Sequence, residues 1–130
     1  IGNFGFEAQY FYVGIKRDNA MPNYNAWGAY SNVRYLLNGQ GYTYTKADAG
    51  IATPDPGSLE LVAAYNYSTL TDKDANIFGG KVNDWSLTFN YYLNKYMIWR
   101  VRGSITRATD NAAFNNNTFS ILETRLQIKF

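Results

Sequence analysis

Thr118-Phe119-Ser120-Ile121-Leu122-Glu123-Thr124-Arg125-Leu126-Gln127-Ile128-Lys129-Phe130 is the stretch whose reading decides the fold. Read as a strand, it places Ser120, Leu122, Thr124, Leu126, Ile128 and Phe130 on one face and Glu123, Arg125, Gln127 and Lys129 on the other, because successive side chains point to opposite sides. One face is apolar and the other ionic. The same split appears upstream, where Trp85, Leu87, Phe89, Tyr91 and Leu93 alternate with Asp84, Ser86, Thr88, Asn90, Tyr92 and Asn94. It appears again where Met97, Trp99, Val101 and Ile105 alternate with Arg100, Arg102, Ser104 and Thr106.

Working outward, strand-like runs cover residues 4–16, 26–37, 58–69, 82–93, 96–107 and 118–130, and no stretch keeps a helical period for three turns. Each run matches or slightly exceeds the ~9–11 residues that a tilted strand needs to cross a bilayer, whereas soluble strands average nearer ~5–6. Asn94-Lys95 forms a tight turn, while residues 17–25, 70–81 and 108–117 read as longer polar loops. Short turns at one end and long loops at the other is the outer-membrane pattern. Residues 38–57, with Pro54 and Pro56, break it, because alternation assigns this long segment to the short-turn end. Part of it, around residues 42–46, is expected to extend the neighbouring strands.

Composition narrows the function classes. Of 130 residues, 46% are apolar, 18% aromatic and only 17% charged, which is not a disordered chain. With no Cys and no His, the chain lacks thiolate metal sites, the commonest metal ligand and any Ser-His-Asp chemistry. Twelve basic against ten acidic residues leave +2, without the basic block of a nucleic-acid binder. No run of eighteen apolar residues exists to make a spanning helix. A mean hydropathy of −0.36 still allows a membrane barrel, since alternating strands hide their apolarity from averages.

A soluble β-sandwich would also alternate, with one wet face per sheet. Aromatic placement separates the two readings: Trp85, Tyr91, Tyr96 and Trp99 are expected near strand ends, where rings with a polar tip suit the boundary between hydrocarbon and water, and Tyr35, Tyr65 and Tyr67 could join them. Phe130 closes an alternating strand in the same way. Six strands are too few for a membrane barrel, because an open edge in lipid strands backbone polar groups. The fold class expected is therefore an all-β, antiparallel transmembrane β-barrel, with residues 1–130 as the C-terminal portion of one longer barrel domain.

Particular blocks resemble a known family. Residues 26–30 (Ala-Trp-Gly-Ala-Tyr), 35–39 (Tyr-Leu-Leu-Asn-Gly) and 57–67 (Gly-Ser-Leu-Glu-Leu-Val-Ala-Ala-Tyr-Asn-Tyr) resemble the phosphate-selective porin O and P family. Residues 79–94, from Gly79-Gly80-Lys81 to Tyr92-Leu93-Asn94, are similar to that family's loop, strand and periplasmic turn and form the most specific part. Residues 123–130 resemble its closing strand. The resemblance runs from about Ala26 to the end. It implies a sixteen-stranded bacterial outer-membrane barrel, commonly trimeric, that passes phosphate or polyphosphate-like anions along a lumen lined by Arg and Lys. It also implies that the C-terminal strand is read by outer-membrane insertion machinery. The resemblance does not place the selectivity filter within this chain.

If the polar faces point inward, Arg34, Arg100, Arg102, Arg125 and Lys129 line the anion path, against the acidic Glu7, Glu60, Asp84 and Glu123. Arg suits phosphate because its fixed donor fork matches oxyanion geometry, and a positive wall concentrates anions. Alternatively, Arg100, Arg102, Glu123 and Arg125 could be cross-strand ion pairs that only hold the wall together. Asp72, Asp74 and Asn76 copy the opening of a calcium loop, but Ile77 and Asn83 occupy the positions that need Gly and Glu, so a solvated loop is expected. No cofactor, metal or catalytic residue is expected. The two functions carried forward are a passive, anion-preferring porin and, as the alternative, a structural or docking barrel subunit of a larger outer-membrane complex.

Overall fold

The computed structural model describes residues 2–18, 21–46, 50–110 and 116–129. Six long strands, β1 (Phe4–Ile15), β2 (Tyr24–Leu36), β5 (Leu59–Asp72), β6 (Ile77–Asn94), β7 (Met97–Thr109) and β8 (Thr118–Ile128), carry the fold. Two short strands, β3 (Tyr44–Thr45) and β4 (Gly50–Ile51), lie between β2 and β5. The long strands form one antiparallel meander in the order β1-β2-β5-β6-β7-β8, so each pairs with its neighbours in sequence. Short hairpin connections make that order the simplest one available.

Register fixes which side chains share a face. Glu60 pairs with Asn90, Asn90 with Arg100, and Arg100 with Arg125, while Arg34 leads through Val62 and Thr88 to Arg102 and Glu123. Between these rows, on the opposite face, run Phe4, Tyr35, Leu61, Phe89, Val101 and Thr124, and beyond the second row on that same face run Phe6, Val33, Ala63, Leu87, Gly103 and Leu122. The alternation read from sequence therefore holds in register across the whole sheet. Among the described residues no second sheet packs on the apolar face: Leu122 is 82% exposed, and Leu87, Ile105, Leu126 and Ile128 are exposed with it. A sandwich would bury this face. What the sheet presents instead is a single layer with one greasy surface, the form that lipid can cover.

The strands outrun the expected boundaries where the chain leaves the apolar zone. The polar loop expected over 70–81 shrinks to a turn at 73–76, because β5 and β6 keep pairing through Thr71↔Phe78 and Asp72↔Ile77 after a bulge at Thr69/Thr71. Asp72 closes the turn, its carboxylate accepting from the amides of Asp74 and Ala75 and from Asn25. Asn76 takes the left-handed conformation at φ 55°. The calcium-like spacing is thus a turn-closing device, as the loop reading expected. At the other end Asn94 Oδ1 accepts from the Tyr96 amide at 2.8 Å, which closes the tight turn into β7.

Residues 42–46 do not extend β2 or β5. Tyr44–Thr45 pairs instead with Gly50–Ile51 in a small hairpin of its own. Asn38 staples the base of this connection, donating to the Gly57 carbonyl at 3.1 Å and accepting from the Leu59 amide at 2.6 Å. The two largest fully buried side chains among the described residues, Leu36 and Glu60, lie beneath it on the polar face.

Candidate functional site

The polar face carries an open groove of about 360 Å³ whose wall includes Arg34, Glu60, Arg100, Arg102, Glu123 and Arg125. Adjacent strands supply these residues at matching heights, so their convergence follows from register rather than from a loop. A wider depression of about 710 Å³ sits on the apolar face over Ala63, Gly103 and Ser120. It is a gap left by small side chains and contains no charged group, so the chemistry lies on the other face.

The four arginines divide into two kinds. Arg34 meets Glu7 at 2.9 Å, and Glu7 also accepts from the Tyr30 hydroxyl at 2.7 Å. Arg102 meets Asp84 at 3.1 Å and Glu123 at 4.0 Å, and Asp84 accepts in addition from Thr106 at 2.6 Å and Asn66 at 3.2 Å. These two are the cross-strand ion pairs that a merely structural wall would contain. Arg100 and Arg125 differ. They face each other in register, and neither has a carboxylate within 4.0 Å among the described residues. Arg100 Nε donates to Asn90 Oδ1 at 2.6 Å, and Arg125 donates to Gln127 at 3.1 Å, so neutral amides hold both guanidinium groups in place without neutralising them.

Glu60, expected among the acids of the polar face, lies on that face but is buried there. It is 1% exposed and accepts from Tyr42 Oη at 2.7 Å, Asn90 Nδ2 at 2.6 Å and Tyr92 Oη at 2.8 Å. A carboxylate taken out of water needs such donors. Burial and the bond to Glu60 push the Tyr42 hydroxyl far above the ordinary tyrosine range. Asn90 joins the two clusters by donating to Glu60 and accepting from Arg100. Sequence reasoning missed Tyr42, and the only signal pointing to it was the surplus length of residues 38–57. Lys129 also departs from expectation: it lies past the end of β8, exposed beside Tyr96 and Met97, and takes no part in the groove.

The aromatic residues form bands. Tyr91 and Trp99 pair across β6 and β7 near the tight-turn end, and the Trp99 indole donates to Thr124 at 2.9 Å. Tyr96 lies in the turn itself with Lys95 over its ring at 4.7 Å. Trp85 is not near a strand end, because β6 runs on to Ile77 and leaves it mid-strand. It stacks on Tyr65 at 4.3 Å, and a further chain of rings passes from Tyr67 to Trp27 at 4.8 Å and from Trp27 to Tyr10 at 6.0 Å. This second band climbs diagonally across β6, β5, β2 and β1. Strands of a membrane barrel tilt by ~35–45°, so a level of constant depth crosses them diagonally. Phe130 lies outside the described residues.

A single-layer antiparallel sheet with one apolar face, banded rings and an ionic polar face has the form of a membrane-channel wall. A family model described as phosphate-selective porin O and P matches residues 1–130. The chain belongs to the phosphate-selective porin O and P family. The match takes in β1, which lies upstream of the blocks that carry the resemblance in sequence. No curated protein matches the chain. As a porin O and P member it is an outer-membrane β-barrel protein of a channel family rather than an enzyme family, and its setting is outer-membrane lipid.

Proposed function

We propose that the chain forms the C-terminal portion of one porin barrel and contributes an anion-preferring stretch of bore wall, with Arg100 and Arg125 as the groups that meet the solute. The observation that carries this reading is the opposition of two arginines without an acid. Like charges directly across a strand pair destabilise a sheet, so wall stability gives no account of them. A passing oxyanion does, since two donor forks held by Asn90 and Gln127 match its oxygens and the positive field raises its local concentration. Because the groove is open, binding stays weak enough for the ion to leave, as conduction requires. Arg34 and Arg102 hold the wall together, through Glu7 and through Asp84 and Glu123.

The solute class is small anions such as phosphate and short polyphosphates. On the same reading β8 is the segment recognised by the insertion machinery, and the apolar face offers a surface for association into a trimer. The test is the reversal potential of the complete protein in a planar bilayer under a salt gradient. Anion preference in the wild type that falls in Arg100→Ser and Arg125→Ser is expected, and a cation-preferring wild type would remove the reading. The alternative, a docking barrel with a filled lumen, draws on the connection between β2 and β5, whose described residues Tyr42 and Ile51 fold onto the polar face. They cover Leu36 and Glu60 at one end and leave the Arg100–Arg125 groove open, which favours transport.

A further inference from the structure

Arg107 does not face the groove. Alternation along β7 sets it with Trp99, Val101 and Ile105 on the apolar side, opposite to Arg100 and Arg102. It is exposed, and among the described residues no carboxylate lies within 4.0 Å of it. In register it stands between Asn83 of β6 and Thr118 of β8. Asn83 Oδ1 accepts from the Tyr65 hydroxyl at 2.8 Å, which leaves the amide hydrogens of its side chain to donate. Lys81, further along β6 on the same face, is held by Asp110 at 2.6 Å. A cation on the lipid side is costly at the bilayer midplane and nearly neutral at the boundary. Trp85 pairs with Ile105, so Arg107 lies two residues, roughly 7 Å, beyond the level of the ring band toward the loop end. That end meets the outer leaflet, since barrels of this kind keep long loops outside and short turns inside.

Below Arg107 is the depression of about 710 Å³ on the apolar face. Gly103, four residues down the same strand, forms its floor: Leu87 and Leu122 flank it in register, and an added Cβ there would meet nothing within 4 Å. Ala63 and Ser120 continue the floor, and the stacked rings of Tyr65 and Trp85 line one side. The trough holds no charge, whereas the next charged group up β7 is a cation that no acid offsets. An acyl chain capped by an anion complements both. We propose that this face binds one phosphate-bearing lipid of the outer leaflet, with the phosphate on Arg107, Asn83 and Thr118 and an acyl chain in the depression. The proposal rests on the reading that the apolar face meets lipid. The arginine's donor fork, an amide and a hydroxyl suit the oxygens of a phosphate ester. Free phosphate would use the headgroup contacts but leave the depression empty, and a second copy of the chain would fill the depression but bring no phosphate.

The test uses the complete protein, its folding checked by heat-modifiable mobility, in phosphatidylcholine liposomes doped with lipid A, an acylated and bisphosphorylated disaccharide, or with its dephosphorylated form. After mild detergent extraction, native mass spectrometry counts the lipid retained. Wild type is expected to keep lipid A and to hold it in millimolar inorganic phosphate. Arg107→Ser should lower that retention roughly tenfold or more, the factor that a charge-assisted hydrogen bond supplies, and the dephosphorylated lipid should bind wild type as poorly. Gly103→Leu, which fills the floor and leaves Arg107 in place, should lower it as well. Unchanged retention in Arg107→Ser, or equal retention of the two lipid forms, overturns the phosphate contact, and unchanged retention in Gly103→Leu overturns the acyl seat. Displacement by inorganic phosphate would make the site one for the free ion, and loss of oligomers in Gly103→Leu at unchanged lipid retention would give the depression to a second copy; either result overturns the proposal. Bilayer anion preference in Arg107→Ser should equal that of wild type, and a change would put Arg107 in the bore instead. Quenching by phosphatidylcholine with brominated chains, assigned to Trp85 by comparison with Trp85→Phe, tests the face reading separately. Quenching with failed retention ends the lipid site and keeps the lipid-facing wall, whereas absent quenching ends both.

Discussion

Replacing Arg100 and Arg125 together by Ser removes the two arginine charges of the groove that have no carboxylate within 4.0 Å among the described residues. The size of the effect follows from Coulomb's law. A guanidinium roughly 6 Å from a hydrated anion contributes about 0.7 kcal/mol in water. At roughly 10 mM salt, where the screening length is about 30 Å, about 0.55 kcal/mol of this survives, and at physiological ionic strength, with about 8 Å, about 0.3 kcal/mol does. Two such groups enrich an anion roughly sixfold at low salt and roughly threefold at physiological salt. The same field depletes a cation by the same factors, so reversal potentials of the complete double variant, taken across a series of salt concentrations, should show the anion-to-cation preference falling by about 36-fold at low salt and about ninefold at physiological salt. Lys129→Ser is the control, because Lys129 is exposed beyond β8 and away from the groove. A loss of the same size at every salt concentration would point to altered bore shape instead of charge, and no loss at all would remove the pair from the mechanism.

Three other outcomes are expected. Glu60→Ala deprives Tyr42, Asn90 and Tyr92 of their common acceptor in a buried site and should destabilise the barrel by about 3 kcal/mol, read from urea unfolding in liposomes by tryptophan fluorescence; a change under about 0.5 kcal/mol would mean that the cluster is not buried as described. Leu122→Arg should cost about 2–4 kcal/mol in the same assay because it puts a charge against hydrocarbon, whereas Ile121→Arg, on the opposite face, should be near neutral. Equal costs would show that the faces are assigned wrongly. Asp110, held below the ordinary carboxylate range by its 2.6 Å contact with Lys81, favours the folded state above the unfolded carboxylate pKa and loses that contribution as pH falls through its depressed folded value. Hydrogen-exchange protection, taken relative to the intrinsic rate at each pH, should therefore fall at the Lys81↔Thr109 end of β6 and β7 on acidification below about pH 4, and Asp110→Asn should abolish that dependence.

The alternation in β6, β7 and β8 was legible because a strand's side-chain period is two and each face meets a different solvent, so sequence alone separates Leu122 and Leu126 from Glu123 and Arg125. Strand ends were harder to read. Beyond the apolar zone Leu70, Asp72 and Phe78 carry no alternating demand, yet backbone pairing continues through them, which moved Trp85 from a strand end to mid-strand. The arginines could be placed on one face but not sorted. Arg102 and Arg100 are two residues apart on the same strand, and only the neighbouring strands decide that one meets Asp84 and the other an amide.

From its residues alone the chain determines a single-layer antiparallel sheet with an apolar and an ionic face, since the pattern is local and every strand repeats it. Tertiary structure alone decided which charges remain uncancelled and where residues 38–57 go. Ion pairing depends on register between neighbouring strands, and Glu60 gains Tyr42, eighteen residues away, as a third donor beside Asn90 and Tyr92 because the chain folds back across the polar face. Partners of that kind are set by the path of the chain in space, which no local period encodes.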